Sequence, residues 1–332
     1  MPYLTPLLMY KYEELKEIVN RAVHNMSYDY EAEKLFEPVK YLMSLGGKRI
    51  RPVMTLMACN LFDDKIEKAI LPAVGMEVFH NFTLVHDDIM DKSQMRRGSA
   101  TVHTKWDVNQ AILSGDVMAF IANECIIASP ATVLMQVMKI YNDTAIDVCS
   151  GQQMDMDFEK TSFVSHTDYL RMIELKTAVL LAASLKIGAV IGNADPEGAD
   201  KMYSFGRNLG LAFQIQDDLL DTYGDPKIFG KKIGTDIVSN KKTILLIKAL
   251  ELASGAQLKT LNQQLQQEEF DDEEKISAVK NIFDELNIRS AVEDIAGQYT
   301  DLAFSSLEEV KVEEKRKKEL RQLASSLLNR TK

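Results

Sequence analysis

The chain has 332 residues, 46% of them hydrophobic and 27% charged, with a formal net charge of -10. That acidic balance excludes broad binding to a nucleic-acid backbone, which needs a basic face, while the apolar fraction is ample for a large core. Three widely spaced cysteines, Cys59, Cys125 and Cys149, show no metal-type spacing, so buried thiols in a reduced, cytoplasmic compartment are expected.

The N-terminal stretch MPYLTPLLMYKYEELKEIVN has no basic region ahead of an apolar run, and Glu13 and Glu14 arrive early, so it does not read as a signal peptide. No apolar run reaches the ~20 residues of a membrane span, which predicts a soluble protein without a transmembrane segment. Apolar residues spaced three and four apart predict a helix through YEELKEIVNRAV. The next signal is GGKRIRP, residues 46 to 52, where two glycines precede Lys48, Arg49 and Arg51, and Pro52 suits a first helical turn. A glycine turn with basic side chains at a helix N-terminus is a candidate anion site. LPAVGMEVFHNFTLVHDDIMD, 71 to 91, predicts a long helix ending in HDDIMD, and Arg96 with Arg97 follows one short loop later.

Further helices are expected in AILSGDVMAFIANECIIAS, ATVLMQVMKIYNDTAIDVCSGQQMDMDFE, HTDYLRMIELKTAVLLAASLKIGAVIG and ADKMYSFGRNLGLAFQIQDDLLDTYG. The last of these carries QDDLLD, 216 to 221, and is followed by KIFGKKIGTDIVSNKKT with Lys231, Lys232, Lys241 and Lys242. Shorter helices run from Lys242 onward, and LNQQLQQEEFDDEEK, 261 to 275, reads as a solvated helix–loop–helix. Alternating strand patterns are absent. The expectation is an all-α protein, a large helical bundle around a central cleft. It reads as a single domain over 1–332 with a more polar helical part from about 255.

HDDIMD and QDDLLD share one spacing, Asp-Asp-x-x-Asp, each near the end of an apolar helix. Positions i and i+4 lie about 40° apart around a helix and about 6 Å apart along it, so Asp87 with Asp91, and Asp217 with Asp221, project from one face. Like charges this close destabilise a helix end and oppose its dipole. Two such clusters facing each other would line one cleft with oxygen ligands suited to a hard divalent cation, Mg2+ first, which also binds substrate phosphate. A basic segment follows each cluster, so two phosphate-bearing ligands are expected, one chelated through metal and one held directly by Lys and Arg.

Together these residues resemble the trans-isoprenyl diphosphate synthase (polyprenyl synthetase) family, whose all-α members make farnesyl, geranylgeranyl and longer prenyl diphosphates. The likeness runs from about residue 40 to 245, with GGKRIRP, HDDIMD, RRG at 96 to 98, KT at 176 and 177, FQIQDD at 213 to 218 and GKKIGTD at 230 to 236 in the family's order. The resemblance implies that Lys48, Arg51, His80 and Arg97 hold isopentenyl diphosphate without metal. It implies that Arg96, Lys176, Lys231 and Lys241 contact an allylic diphosphate, with Lys242 competing with Lys241 for that place. Three Mg2+ would join this second ligand to Asp87, Asp91 and Asp217, with Asp221 completing the metal set. Thr177 and Gln214 would turn oxygen dipoles toward the developing cation. Asp88 and Asp218 complete the catalytic carboxylates, and Gln152, Asp155 and Asp157 support them from behind.

The implied reaction ionises the allylic diphosphate, adds the double bond of isopentenyl diphosphate to the allylic carbon, and loses a proton to the released diphosphate. A bulky aromatic five positions before the first aspartate resembles the family's floor for the growing chain. Phe82 sits there, with Phe79 on the same helical stripe and the small Thr83 beside it. A short product, geranylgeranyl or farnesyl, is therefore expected, and the family resemblance implies a homodimer. The tail SSLLNRTK is less basic than the family's usual end, which puts a closing role for Arg330 in doubt. A terpene cyclase shares the ionising chemistry but lacks a second diphosphate site, against which Lys48, Arg51 and Arg97 stand. A non-catalytic subunit of a heteromeric synthase would be expected to have lost one aspartate motif, and both are intact.

Overall fold

A computed structural model of the chain describes residues 9–28, 30–225 and 233–329. Helices dominate. The first are α1 (Tyr12–His24), α2 (Glu33–Ser44), α3 (Ile50–Phe62) and α4 (Ile70–Met90), with a 3-10 turn at Glu67–Ala69. A two-stranded ribbon, β1 (Met95–Arg96) and β2 (Ser99–Ala100), leads to α5 (Val102–Lys105), α6 (Val108–Ile127), α7 (Leu134–Lys160) and α8 (His166–Ile173). A π-helical turn at Glu174–Ala178 separates α8 from α9 (Val179–Ile191), and α10 (Pro196–Tyr223) follows. Then come α11 (Thr235–Val238), α12 (Ile244–Leu252), α13 (Gly255–Gln266), α14 (Asp272–Glu285), α15 (Ile288–Glu308) and α16 (Glu314–Leu328).

Local chemistry explains many of these limits. Pro196 opens α10 at the position where a missing N–H costs nothing. The side chains of Asp107, Ser165 and Asp271 accept from first-turn amides of α6, α8 and α14, a cap worth about 1 kcal/mol each. The polar stretch at 261 to 275 breaks between Gln266 and Asp272.

The chain divides into two compact units. One comprises Met1–Thr144, Ala183–Tyr203 and Glu309–Arg321, and the other Ala145–Ala182, Ser204–Glu308 and Gln322–Lys332. In the first unit α4 is buried from Pro72 to Phe79, and Gly75 lets it approach α6, since a Cβ there would stand 2.9 Å from the Ala122 carbonyl oxygen. The core of the second unit gathers Tyr169, Met172, Ile173, Leu211, Ile215, Ile244, Leu245 and Phe283.

Four features depart from expectation. The β ribbon was not foreseen; Arg97 and Gly98 both adopt positive φ (53° and 73°), the backbone of a tight hairpin turn, which Arg-Gly does not announce as Asn-Gly would. The segment 166–192 is not one continuous helix but is interrupted by the π-turn. Cys59 and Cys125 are buried, but Cys149 is exposed, on the outward side of α7. Finally, Val108–Ile127 is long and apolar enough by length and composition to cross a membrane, contrary to the reading that no run reaches that length. It packs against α4 and carries Asp116 and Glu124.

Candidate active site

The first unit holds one half of the expected residues. Gly46 and Gly47 (φ 71° and 138°) and Arg49 (φ 51°) bend the chain sharply into α3. Arg49 is buried and pairs with Glu77 of α4 at 2.7 Å, while donating to the Met43 carbonyl (2.7 Å) and Asn20 (3.2 Å). This anchor fixes the chain between Lys48, at the end of the loop, and Arg51, in the first turn of α3. Arg97 Nη1 donates to the Gly46 carbonyl at 2.8 Å, and a Cβ at Gly47 would stand 3.3 Å from that guanidinium nitrogen. The ribbon thus lies against the glycine loop through Arg97.

Arg51 has a buried Nε with no hydrogen-bond partner. Burial lowers its guanidinium to about 10, opposed by Glu77 and assisted by Arg97. His80, partly buried on α4, is held well below its ordinary value, first by burial and then by the charges of Arg51, Arg97, Arg96 and Arg49. His80 is therefore a neutral hydrogen-bonding group inside a cationic neighbourhood. A buried donor lacking a partner amid such charge is what an anion site looks like.

The first aspartate motif closes α4. Lys92 takes a left-handed turn (φ 53°), its N–H bonds the Ile89 carbonyl (3.3 Å), and the Ser93 N–H bonds the Asp88 carbonyl (3.0 Å), a Schellman termination. Thr101 donates to the Ser93 carbonyl at 2.7 Å and so ties the ribbon to this end. Asp87 is partly buried and Asp91 exposed, whereas Asp88 is 2% exposed. Arg96 donates through Nε to Asp88 (2.7 Å) and through Nη2 to Asp87 (3.2 Å). Expected on a diphosphate, Arg96 here spans the two carboxylates nearest to it. Burial raises Asp88 from its ordinary value, and Arg96 opposes the shift.

Phe82 on the same helix lies tilted to Phe79 at 5.4 Å and edge-on to the His86 ring at 5.0 Å. Phe79 is a core residue, 3% exposed, with Tyr141 at 5.4 Å behind it. Thr83 returns its hydroxyl to the His80 carbonyl at 2.8 Å. His86 faces α6, with Nε2 3.2 Å from the Ile112 carbonyl.

The second unit holds the other half. On α10, Gln214 and Asp217 are partly buried, and Asp218 and Asp221 are buried. Asp218 accepts from the Tyr169 hydroxyl, from Gln214 Nε2 (3.2 Å) and from the Ile244 N–H (3.3 Å). Burial pushes its carboxyl up to about 6, against the Tyr169 hydrogen bond and the charge of Lys241. Asp221 accepts from Thr235 Oγ1 (2.6 Å) and the Asp236 N–H (3.0 Å), while its carbonyl accepts from the Gly234 N–H (2.7 Å). Both oxygens of Asp221 are thereby engaged in folding residues 234–236 back onto α10. Asp218 and Asp221 are set in place by protein groups, and Asp217 is the more open member of the motif.

Lys176 and Thr177 lie in the π-turn. Lys176 Nζ donates to Asp155 of α7 at 2.5 Å, and Thr177 Oγ1 to Gln214 Oε1 at 3.3 Å. Of the supporting residues Gln152, Asp155 and Asp157, Asp155 meets this turn by a direct bond. Lys241 is exposed and its charge acts on Asp218 and Asp236; Lys242 is partly buried and lowered by burial alone. Of that pair, Lys241 is the one beside the carboxylates. Lys231, Lys232 and Arg330 lie outside the described residues.

Sequence reasoning missed three contributors, Tyr169, Thr235 and Asp236, and did not foresee that Arg49 is a buried anchor. Burial pushes the Asp236 carboxyl up to about 7, with Lys241 opposing and Asp221, Asp218 and Asp217 adding to the rise. Its only signal was its place at the end of GKKIGTD.

Among the described residues no three His, Cys, Asp or Glu side chains converge into a ready-made metal site. The donor chemistry nonetheless suits magnesium. Asp87 and Asp217 are partly buried and Asp91 exposed, and carboxylates are the donors a hard cation takes before completing its shell with water and phosphate oxygens.

A family model described as Polyprenyl synthetase matches residues 32–283. The chain is 38% identical to a geranylgeranyl pyrophosphate synthase of Geoglobus acetivorans, over 88% of this chain and 90% of that one. It is 36% identical to a geranylgeranyl diphosphate synthase of Saccharolobus solfataricus, over 96% and 99% of the two chains. A crystal structure of a geranylgeranyl pyrophosphate synthase superposes with a TM-score of 0.92 at 38% identity, covering 98% of this chain and all of that one.

Proposed function

For a chain that belongs to the polyprenyl synthetase family, we propose that the two aspartate motifs serve a condensation whose main product is geranylgeranyl diphosphate. The protein is a trans-prenyltransferase of the short-chain type, joining isopentenyl diphosphate to an allylic diphosphate. The observation that carries the assignment of sites is the cationic neighbourhood of Arg51, Arg97 and neutral His80, on the same unit as the carboxylates of Asp87 and Asp91. A single diphosphate does not need both kinds of partner; two do.

In this reading Lys48, Arg51, His80 and Arg97 receive isopentenyl diphosphate directly, and the unpartnered Nε of Arg51 gains an acceptor. Asp87, Asp91 and Asp217 hold the allylic diphosphate through magnesium, three ions being proposed. Bound there, magnesium supplies Lewis-acid stabilisation of the departing diphosphate. Lys176, Lys241 and Lys231 add fixed positive charge to the same leaving group. Arg96 is proposed to bridge Asp88 and the diphosphate, since Asp88 already orients its Nε. Thr177 and Gln214 present oxygens to the allylic cation, and their mutual bond at 3.3 Å keeps both in place. Asp218 acts through Gln214, and Asp221 through the turn bearing Asp236. Phe82 stops the tail. No side chain of the described set is placed as a dedicated base, and the released diphosphate takes the proton.

Residues 1–332 are proposed to work as one functional domain, in a homodimer, in the cytoplasm. The dimer is supported by Val108, Ile112 and Phe120, apolar residues of α6 that are exposed. The cytoplasmic assignment rests on unpaired cysteines. Neither a terpene cyclase nor a non-catalytic subunit is favoured, because both motifs and the direct diphosphate cluster are present. Incubating the protein with dimethylallyl and isopentenyl diphosphates and Mg2+, then sizing the products, tests the reading. Geranylgeranyl diphosphate as main product supports it, and cyclic hydrocarbons or no condensation would overturn it.

A further inference from the structure

The π-turn at Glu174–Ala178 sends two consecutive side chains to two different helices, Lys176 to Asp155 on α7 and Thr177 to Gln214 on α10. Each of those helices approaches the turn at a glycine. A Cβ at Gly151 of α7 would overlap the Lys176 backbone nitrogen and lie 2.7 Å from the carbonyl carbon of Leu175. A Cβ at Gly210 of α10 would lie 2.6 Å from Ala178 Cα and 2.8 Å from its Cβ. Gly151 stands four residues before Asp155, and Gly210 four residues before Gln214. Positions i and i+4 share a helix face. The two flanking helices therefore use one device twice: a glycine that admits the backbone of the turn, then one turn later the side chain that orients a residue of it.

We infer that Gly151 and Gly210 are positioning residues for the reaction, clamping the π-turn so that Lys176 Nζ and Thr177 Oγ1 stand where the allylic diphosphate needs them. The inference rests on the proposed contact of Lys176 and Thr177 with that ligand. The atoms a methyl group would strike at Gly151 are main-chain atoms, which cannot rotate aside as a flexible side chain does. Relief must move the turn itself, and Lys176 and Thr177 move with it. π-turns interrupt helices mostly at functional sites, since the extra residue is costly unless its neighbours hold it.

The test compares Gly151→Ala and Gly210→Ala with Gly192→Ala and Lys176→Ala. A Cβ at Gly192 would lie 2.7 Å from the Cys59 carbonyl oxygen in the first unit, so its substitution imposes a similar backbone clash away from the π-turn. All variants are checked by circular dichroism and thermal melting and assayed well below their melting temperatures. A displacement of about 1 Å at reacting groups lowers rates on the order of a hundredfold, so kcat of the folded Gly151→Ala and Gly210→Ala proteins should fall about ten- to a hundredfold. The KM for isopentenyl diphosphate should stay within about twofold, because that ligand is held by other residues. Gly192→Ala should lose melting temperature but keep kcat.

A folded Gly151→Ala and Gly210→Ala pair with wild-type kcat would overturn the inference. So would failure of both to fold at any temperature, which would make the contacts a folding requirement only. An equal loss of kcat in Gly192→Ala would do the same. If Lys176→Ala itself keeps the wild-type rate, the ligand assignment fails whatever the glycine variants do. If Lys176→Ala is impaired while both glycine variants are not, the glycine inference alone fails.

Discussion

Replacing Phe82 by alanine should lengthen the product. The ring lies on α4 five positions before Asp87, packed between Phe79, tilted at 5.4 Å, and His86, edge-on at 5.0 Å. Tyr141 backs Phe79 at 5.4 Å, and His86 is tethered to the Ile112 carbonyl, so the neighbours cannot easily collapse into the space vacated. The substitution deletes about six side-chain carbons, slightly more than the roughly five carbons that one condensation adds, and a poorly collapsing site keeps most of that volume as cavity. At least one further condensation should therefore fit, shifting the product from geranylgeranyl toward geranylfarnesyl diphosphate and beyond. Because Phe82 is only partly buried, its truncation should cost less than the about 3–5 kcal/mol of a fully buried phenylalanine, leaving the enzyme folded. The assay is incubation with excess isopentenyl diphosphate, phosphatase treatment and mass analysis of the alcohols. Phe79→Ala is the control: at 3% exposure it should cost the full about 3–5 kcal/mol and change chain length less. An unchanged product distribution in folded Phe82→Ala would remove Phe82 as the floor.

Asp87→Ala and Asp217→Ala should fold normally yet lose turnover, and should also lose the rise in melting temperature given to the parent protein by Mg2+ with a bisphosphonate; near-normal rates in either would refute the metal assignment. Glu77→Gln leaves the buried Arg49 guanidinium without its charge partner, a loss of about 3–5 kcal/mol. With unfolding entropies near 2.1 cal/mol/K per residue, that corresponds to a fall of about 4–7 °C in melting temperature, and a change under about 1 °C would refute the pairing. In metal-free buffer, stability should fall as pH rises from about 4 to about 7. Asp236, pushed up to about 7 in the fold, keeps its proton there while the unfolded chain has already released it. Asp236→Asn should flatten that slope; unfolding curves with the same pH dependence in both proteins would refute the burial argument.

What could be read from the sequence was whatever repeats or has a period. The helices announced themselves through spacings of three and four, and the two Asp-Asp-x-x-Asp segments through their shared spacing, because both signals lie within one local stretch of chain. The roles of the individual carboxylates were not legible in that way. Asp88 and Asp218 carry the same letter as Asp87 and Asp217, yet they are buried on Arg96 and Tyr169, residues 8 and 49 positions away. Asp221 carries the same letter again, yet the chain folds back so that Thr235 and Asp236 each donate to one of its oxygens, contacts 14 and 15 positions away that its motif does not announce. Arg49 looks like a third basic ligand in GGKRIRP, but it has a left-handed backbone and its side chain is buried on Glu77. The π-turn shows the limit most plainly. IELKTAVLLAAS has ordinary helical periodicity, and nothing within it calls for an extra residue in one turn. The demand comes from Gly151 and Gly210, 25 and 32 positions away from Lys176 and Ala178 along the chain, whose bare Cα atoms let two other helices press against it. A glycine in a helix costs about 1 kcal/mol relative to alanine. Two of them, each one turn before a side chain that grips the same short segment, are better explained by what they let approach than by the helices they weaken.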